Sequence, residues 1–136
     1  MEQLNVLEII EKIGIFERKI NLALNYAGLR LPHYKALSCL ESTGKITVSD
    51  LSRALCVTRA TTSVLVNQLI KAGAVKSLEN RADKRSHYLC LTELGMQRLE
   101  LARQEVNLVA SKISQKFPQD LIRTLNHVAQ VIKEEF

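Results

Sequence analysis

Two short amphipathic segments that meet at a single corner constrain this chain more than any other feature. Asp50 to Leu55 presents Leu51, Ala54 and Leu55 at helical spacing. Ser49 is the expected N-cap, and Asp50 in the first turn suits the helix dipole. Cys56 and Val57 form the corner. Thr58 is the expected N-cap of a second helix to Ala72, with Thr62, Leu65, Val66 and Leu69 on its inner stripe. Arg59, Ser63, Asn67 and Lys71 fall on the other side. Gly73 supplies the left-handed residue that commonly ends a helix. The pair is a helix-turn-helix candidate, a corner that many helical bundles also contain.

The next eighteen residues are more specific. Ala74 to Leu78 suits a strand, and Glu79-Asn80-Arg81-Ala82-Asp83-Lys84-Arg85 is polar and turn-forming. Ser86 to Leu91 alternates, with His87, Leu89 and Leu91 on one face and Tyr88 and Cys90 on the other. A hairpin directly after the second helix is a wing. Its charge is uneven. Of the chain's net charge of +5, the stretch Arg59 to Tyr88 holds all but one unit: Arg59, Lys71, Lys76, Arg81, Lys84 and Arg85 against Glu79 and Asp83. Such clustering suits a polyanionic partner.

Helices are expected on both flanks. Residues 4 to 27 repeat Val6, Ile9, Ile10, Ile13, Phe16, Ile20, Ala23, Leu24 and Ala27 at spacings of three and four, with Gly28 as the stop. Leu4, Leu7, Ile15 and Leu22 lie outside that stripe, so the helix needs cover on two sides. Either it is the central helix of a monomer or it forms a subunit interface. Pro32 can open a helix closed by Gly44, and Lys45 to Val48 suits a short strand. Thr92, aided by Glu93, caps a long helix whose stripe is Leu99, Ala102, Val106, Val109, Ala110, Ile113 and Phe117. After Pro118 a last helix runs to about Phe136. The expected fold is mainly α with a small β-hairpin wing. It forms one domain over 1–136, with the winged helix-turn-helix at about 32–91 and flanking helices at about 4–27 and 93–136.

Several function classes are excluded. No apolar run approaches the roughly 18–20 residues that span a bilayer. Glu2, Glu8, Glu11 and Glu17 argue against a secretory signal, so a cytoplasmic location is expected. The five glycines are isolated at expected helix ends, without a phosphate-cradling loop, and no Ser/His/Asp or Cys/His arrangement is recognisable. An enzyme is therefore not expected, nor is a cofactor. His33, His87 and His127 share no metal spacing and read as structural. Cys39, Cys56 and Cys90 show neither a disulfide framework nor zinc spacing. Cys56, beside the turn, is a candidate redox sensor; the competing reading is a small hydrophobe.

With these elements in order, the chain resembles the MarR family of bacterial winged-helix regulators. The resemblance rests on Asp83-Lys84-Arg85-Ser86, then Leu89-Cys90-Leu91-Thr92-Glu93-Leu94-Gly95, similar to the family's wing. Val57 to Thr61 and Leu65 to Leu69, through Gly73, resemble its recognition helix, and Leu51 to Leu55 the helix before it. The chain departs from the family at Thr62, Val64 and Cys56, where Val, a basic residue and a small residue are usual. The resemblance implies a homodimer joined by its first and last two helices. It also implies operator DNA bound by two lobes, repression, and release by a small ligand or by oxidation.

On that reading the helix from Thr58 enters the major groove, with Thr58, Arg59, Thr61, Thr62, Ser63 and Asn67 as candidate contacts. Thr61 and Thr62 could instead pack inward. Arg81, Lys84 and Arg85 form the wing contacts, with Arg85 in the minor groove and Asp83 orienting a neighbouring arginine through a charge-assisted bond. The operator would be a pseudo-palindrome of double-stranded DNA with half-sites about one turn apart. Tyr26, Arg30, His33 and Tyr34 mark a candidate effector pocket near the junction with the flanking helices. The competing reading is a winged helix used only for protein interaction, without DNA binding.

Overall fold

The computed structural model describes residue 3 and residues 5–136; Glu2 and Leu4 lie outside the described residues. Among the described residues, six helices and three strands occur in the order α1 (Val6–Asn25), α2 (Leu31–Thr43), β1 (Ile46–Thr47), α3 (Val48–Leu55), α4 (Arg59–Lys71), β2 (Val75–Glu79), β3 (His87–Leu91), α5 (Glu93–Lys116) and α6 (Gln119–Glu135). The sheet is antiparallel with β3 in the middle, pairing Ile46 with Leu89 on one side and Val75 with Leu91 on the other.

Most helix boundaries obey local chemistry. Thr58 caps α4 by accepting the Thr61 N–H at 3.1 Å, and Thr92 caps α5 by accepting the Gly95 N–H at 3.0 Å. Gly28 and Gly73 adopt positive φ at the ends of α1 and α4, as expected of helix stops. Gly14, expected at a helix end, lies inside α1. Ser49, the expected cap of α3, also lies inside its helix. Thr47 caps α3 instead, its hydroxyl accepting the Asp50 N–H at 3.1 Å. The start of α2 is held from a distance, where the Leu31 N–H donates to Asn21 Oδ1 of α1 at 2.9 Å.

Leu24, Leu37, Leu40, Leu51, Leu89 and Leu99 are fully enclosed at the centre, with Leu65, Val66 and Leu69 of α4 packed beside them. Truncating one such side chain typically costs about 2–5 kcal/mol, so this core fixes α4 against α2 and the sheet. Ala54, expected to face inward, is exposed. A second joint ties α5 to the hairpin. The Thr92 hydroxyl donates to the Gly73 carbonyl at 2.5 Å, and the Thr92 N–H donates to the Ala74 carbonyl at 3.1 Å. A Cβ on Gly95 would overlap that same Ala74 carbonyl, so a side chain has no room there.

The flanking helices are only partly covered. Ile20, Ala23 and Leu24 of α1 are buried, whereas Ile9, Ile10, Ile13 and Phe16 of its expected stripe are exposed. On α5, Leu99 and Ala102 are buried and Val106, Val109 and Ile113 half-buried, while Ala110 and Phe117 are exposed. None of the residues of α6 is buried. Among the described residues no helix is long and apolar enough to cross a membrane.

Candidate nucleic-acid interface

The inner stripe of α4 fixes which side chains face out. Thr62, Leu65, Val66 and Leu69 are buried. At 100° per residue, the opposite pole carries Ala60, Val64, Asn67 and Lys71, all exposed. Arg59 is exposed at the first turn. Ser63 is half-buried on the flank. Thr62, read from sequence as either a DNA contact or an inward-packing residue, packs inward. Its side chain is wholly enclosed, and its hydroxyl donates to the Thr58 carbonyl at 2.9 Å, so it presents nothing outward. The hydroxyls of Thr58 and Thr61 are bonded to each other at 2.9 Å, and Thr61 stands beside the inner stripe rather than at the outer pole.

The wing tip is ordered by two short side chains. Asn80 Oδ1 accepts the Ala82 N–H at 3.0 Å, and Asp83 Oδ1 accepts the Arg85 N–H at 3.0 Å. These local turns are a habit of Asn and Asp. The Ser86 N–H closes the loop on the Asp83 carbonyl at 3.1 Å. Asp83 therefore holds the Arg85 backbone, not the guanidinium expected from its charge. Among the described residues Arg59, Arg81, Lys84 and Arg85 form no ion pair, so their charges remain available.

Between the starts of α3 and α4 and the base of the wing lies a groove of about 490 Å³, in which Arg53, Arg59 and Arg85 converge with Asp50, Asp83 and His87. Arg53 is absent from the residues that the sequence singles out. Its charge lies on a separate helix, and nothing in the local pattern shows that the fold brings it to Arg85. Arg53 is paired with Asp50. Hydrogen bonding from Arg53, then from Thr47, holds the Asp50 carboxyl below the usual carboxylate range. Both members of the pair line the groove.

The corner between α3 and α4 places Cys56 in the left-handed region at φ 56°, with its thiol exposed. It is the one non-glycine residue of positive φ among those described. Cys39 differs: burial pushes its thiol pKa up. No cluster of three or more metal-binding side chains occurs among the described residues.

The four candidate effector residues do not converge. Tyr26 is 85% exposed beyond the end of α1. Arg30 borders a surface groove with Arg18 and Asn25. The His33 ring meets Gln68 Oε1 at 2.9 Å and so ties α2 to α4, while Tyr34 packs against the core. These neighbours in sequence point in different directions around the start of α2. A separate cleft of about 310 Å³ lies between α1, α2 and the inner flank of α4, lined by Glu17, Lys35, Val57, Thr61 and Leu65 among others.

A corner of two helices continued by a basic hairpin defines a winged helix-turn-helix protein. Comparison with known proteins specifies it further. The MarR family model matches residues 29–87. The fold matches the apo form of wild-type MarR from E. coli with a TM-score of 0.80 at 22% identity, covering 97% of this chain and 98% of that one. It matches a mutant MarR from E. coli complexed with operator DNA with a TM-score of 0.79 at 21% identity, covering 95% and 99%. It also matches the transcriptional regulator PA4135 with a TM-score of 0.85 at 19% identity, covering 98% of each chain. No curated protein sequence gives a significant match.

Proposed function

We propose that this chain is a cytoplasmic, homodimeric repressor that binds a pseudo-palindromic operator in double-stranded DNA. The observation that supports this most directly is the convergence of Arg53, Arg59 and Arg85 from three elements on one groove beside the outer face of α4. Thr58, Arg59, Ser63 and Asn67 serve the major groove, with Thr61 at its margin. Arg85 enters the minor groove, and Arg81 and Lys84 hold phosphates, contacts that add affinity without reading sequence. Asp83 shapes the loop that presents them.

Pairing of two copies accounts for the bare helices. Ile10, Ile13 and Phe16 on α1 and Leu125, Val128 and Ile132 on α6 are about half exposed in the single chain. Apolar surface of that extent marks an association face, and twofold pairing would give two lobes for two half-sites. The likeness to MarR bound to operator DNA agrees with this reading. Release would come from a small ligand in the cleft between α1, α2 and α4, whose occupation would shift the reading helix. Oxidation of the exposed Cys56 would act at the same corner.

The test is a salt titration with random duplex DNA. A dimer that neutralises roughly 6–10 phosphates loses about 10³–10⁵ in affinity between 50 and 200 mM salt. Weak, salt-insensitive binding would instead favour a protein-interaction module.

A further inference from the structure

The outer pole of α4 contains a feature that the proposed DNA contacts do not use. Val64 is 59% exposed on the outer pole, between the candidate polar contacts Ser63 and Asn67, and Ala60 stands one turn before it, also exposed. The two form a short apolar strip along the outward line of the helix. Neither packs into the core, because the inner stripe of Thr62, Leu65, Val66 and Leu69 lies on the opposite side. The strip begins in the first turn, the end of a reading helix that meets base edges. It is bordered by the arginine groove at the helix start.

A major groove offers such a strip one apolar group. Guanine, cytosine and adenine show donors and acceptors there, whereas thymine adds a C5 methyl. A polar base edge against Val64 would lose water without gaining a hydrogen bond, which disfavours the wrong base. A thymine methyl against the valine methyls removes apolar surface from water on both sides. We propose that Val64, with Ala60 beside it, is a specificity-determining residue that reads a thymine C5 methyl in each half-site. This rests on the DNA-binding reading above and adds the base class that the helix centre selects. Deleting one such methyl is expected to cost about three- to fivefold per half-site, and about ten- to twentyfold when both half-sites change.

The experiment starts with the full-length protein and a pool of randomised duplexes, from which bound fragments are enriched and sequenced. In the enriched duplex, each thymine is then replaced by deoxyuridine, which keeps the base pair and removes only the methyl. One thymine per half-site is expected whose replacement weakens binding by the factor above. V64A is expected to abolish that sensitivity while its unfolding curve stays that of the parent, since the side chain is exposed. An enriched duplex that is indifferent to deoxyuridine at every position overturns the inference and leaves DNA binding standing. Equal sensitivity in V64A and the parent also overturns it. A pool from which nothing is enriched overturns the DNA-binding reading and this inference together.

Discussion

Asp83 and Arg85 are joined through the backbone: the aspartate carboxylate accepts the arginine N–H at 3.0 Å, and the guanidinium is left free. A carboxylate beside an arginine proposed to contact DNA thus has a geometric role. Asp83→Asn keeps an acceptor at the same place, whereas Asp83→Ala removes it. A hydrogen bond of this kind contributes about 0.5–1.5 kcal/mol. Duplex affinity measured by fluorescence anisotropy should therefore stay at or above the parent's for the Asn variant and fall by up to about tenfold for the Ala variant. Equal loss in both would assign the role to charge instead.

Arg85→Ala should weaken operator binding by about 1–3 kcal/mol, the worth of one specific contact. The side chain is exposed and makes no ion pair among the described residues, so the thermal midpoint should not move. Unchanged affinity would remove the wing from the binding account.

Gly95→Ala should be severely destabilising, by about 3 kcal/mol or more. The new methyl would meet the backbone carbonyl of Ala74, which cannot rotate aside as a flexible side chain would. Because Thr92 anchors the same carbonyl, relief would require breaking the joint between α5 and the hairpin. Urea unfolding at a fixed protein concentration measures the effect.

Cys56→Gly should do the opposite. A side chain in the left-handed region costs roughly 1–2 kcal/mol, and the greater freedom of unfolded glycine returns about 0.5–1 kcal/mol of that. The φ of 56° at this position therefore leads to an expected net gain of about 0.5–1 kcal/mol. A urea midpoint lower than the parent's would contradict it.

Leu125→Glu with Ile132→Glu should convert the proposed dimer to single chains in light scattering. Both residues are 57% exposed on α6, which buries none of its residues within the chain. A parent protein already of single-chain mass would contradict the pairing.

Helix and strand order is legible in the sequence because its signals are local. Thr58, Gly73 and Thr92 act within one turn of their own positions, and the alternation of His87 to Leu91 reflects strand pleating. The cap of α3 is not legible in the same way, because Thr47 and Ser49 are both good caps. What decides between them is where the chain leaves β1, a pairing with the distant Tyr88. Thr62 is the reverse case, since its spacing already sets it on the inner stripe. Its type suits a groove contact, but its position on the buried stripe of α4 turns it inward.

Spacing along single segments was enough to specify the helix corner, the basic hairpin after it and the excess of apolar surface on the flanking helices. Two other features needed the packed molecule: Arg53 joins Arg59 and Arg85, and Tyr26, Arg30, His33 and Tyr34 have different surroundings. The physical reason is that periodicity fixes a side chain's direction relative to its own helix axis. Where that direction leads depends on the core of Leu37, Leu51, Leu89 and Leu99, which sets each helix against the others.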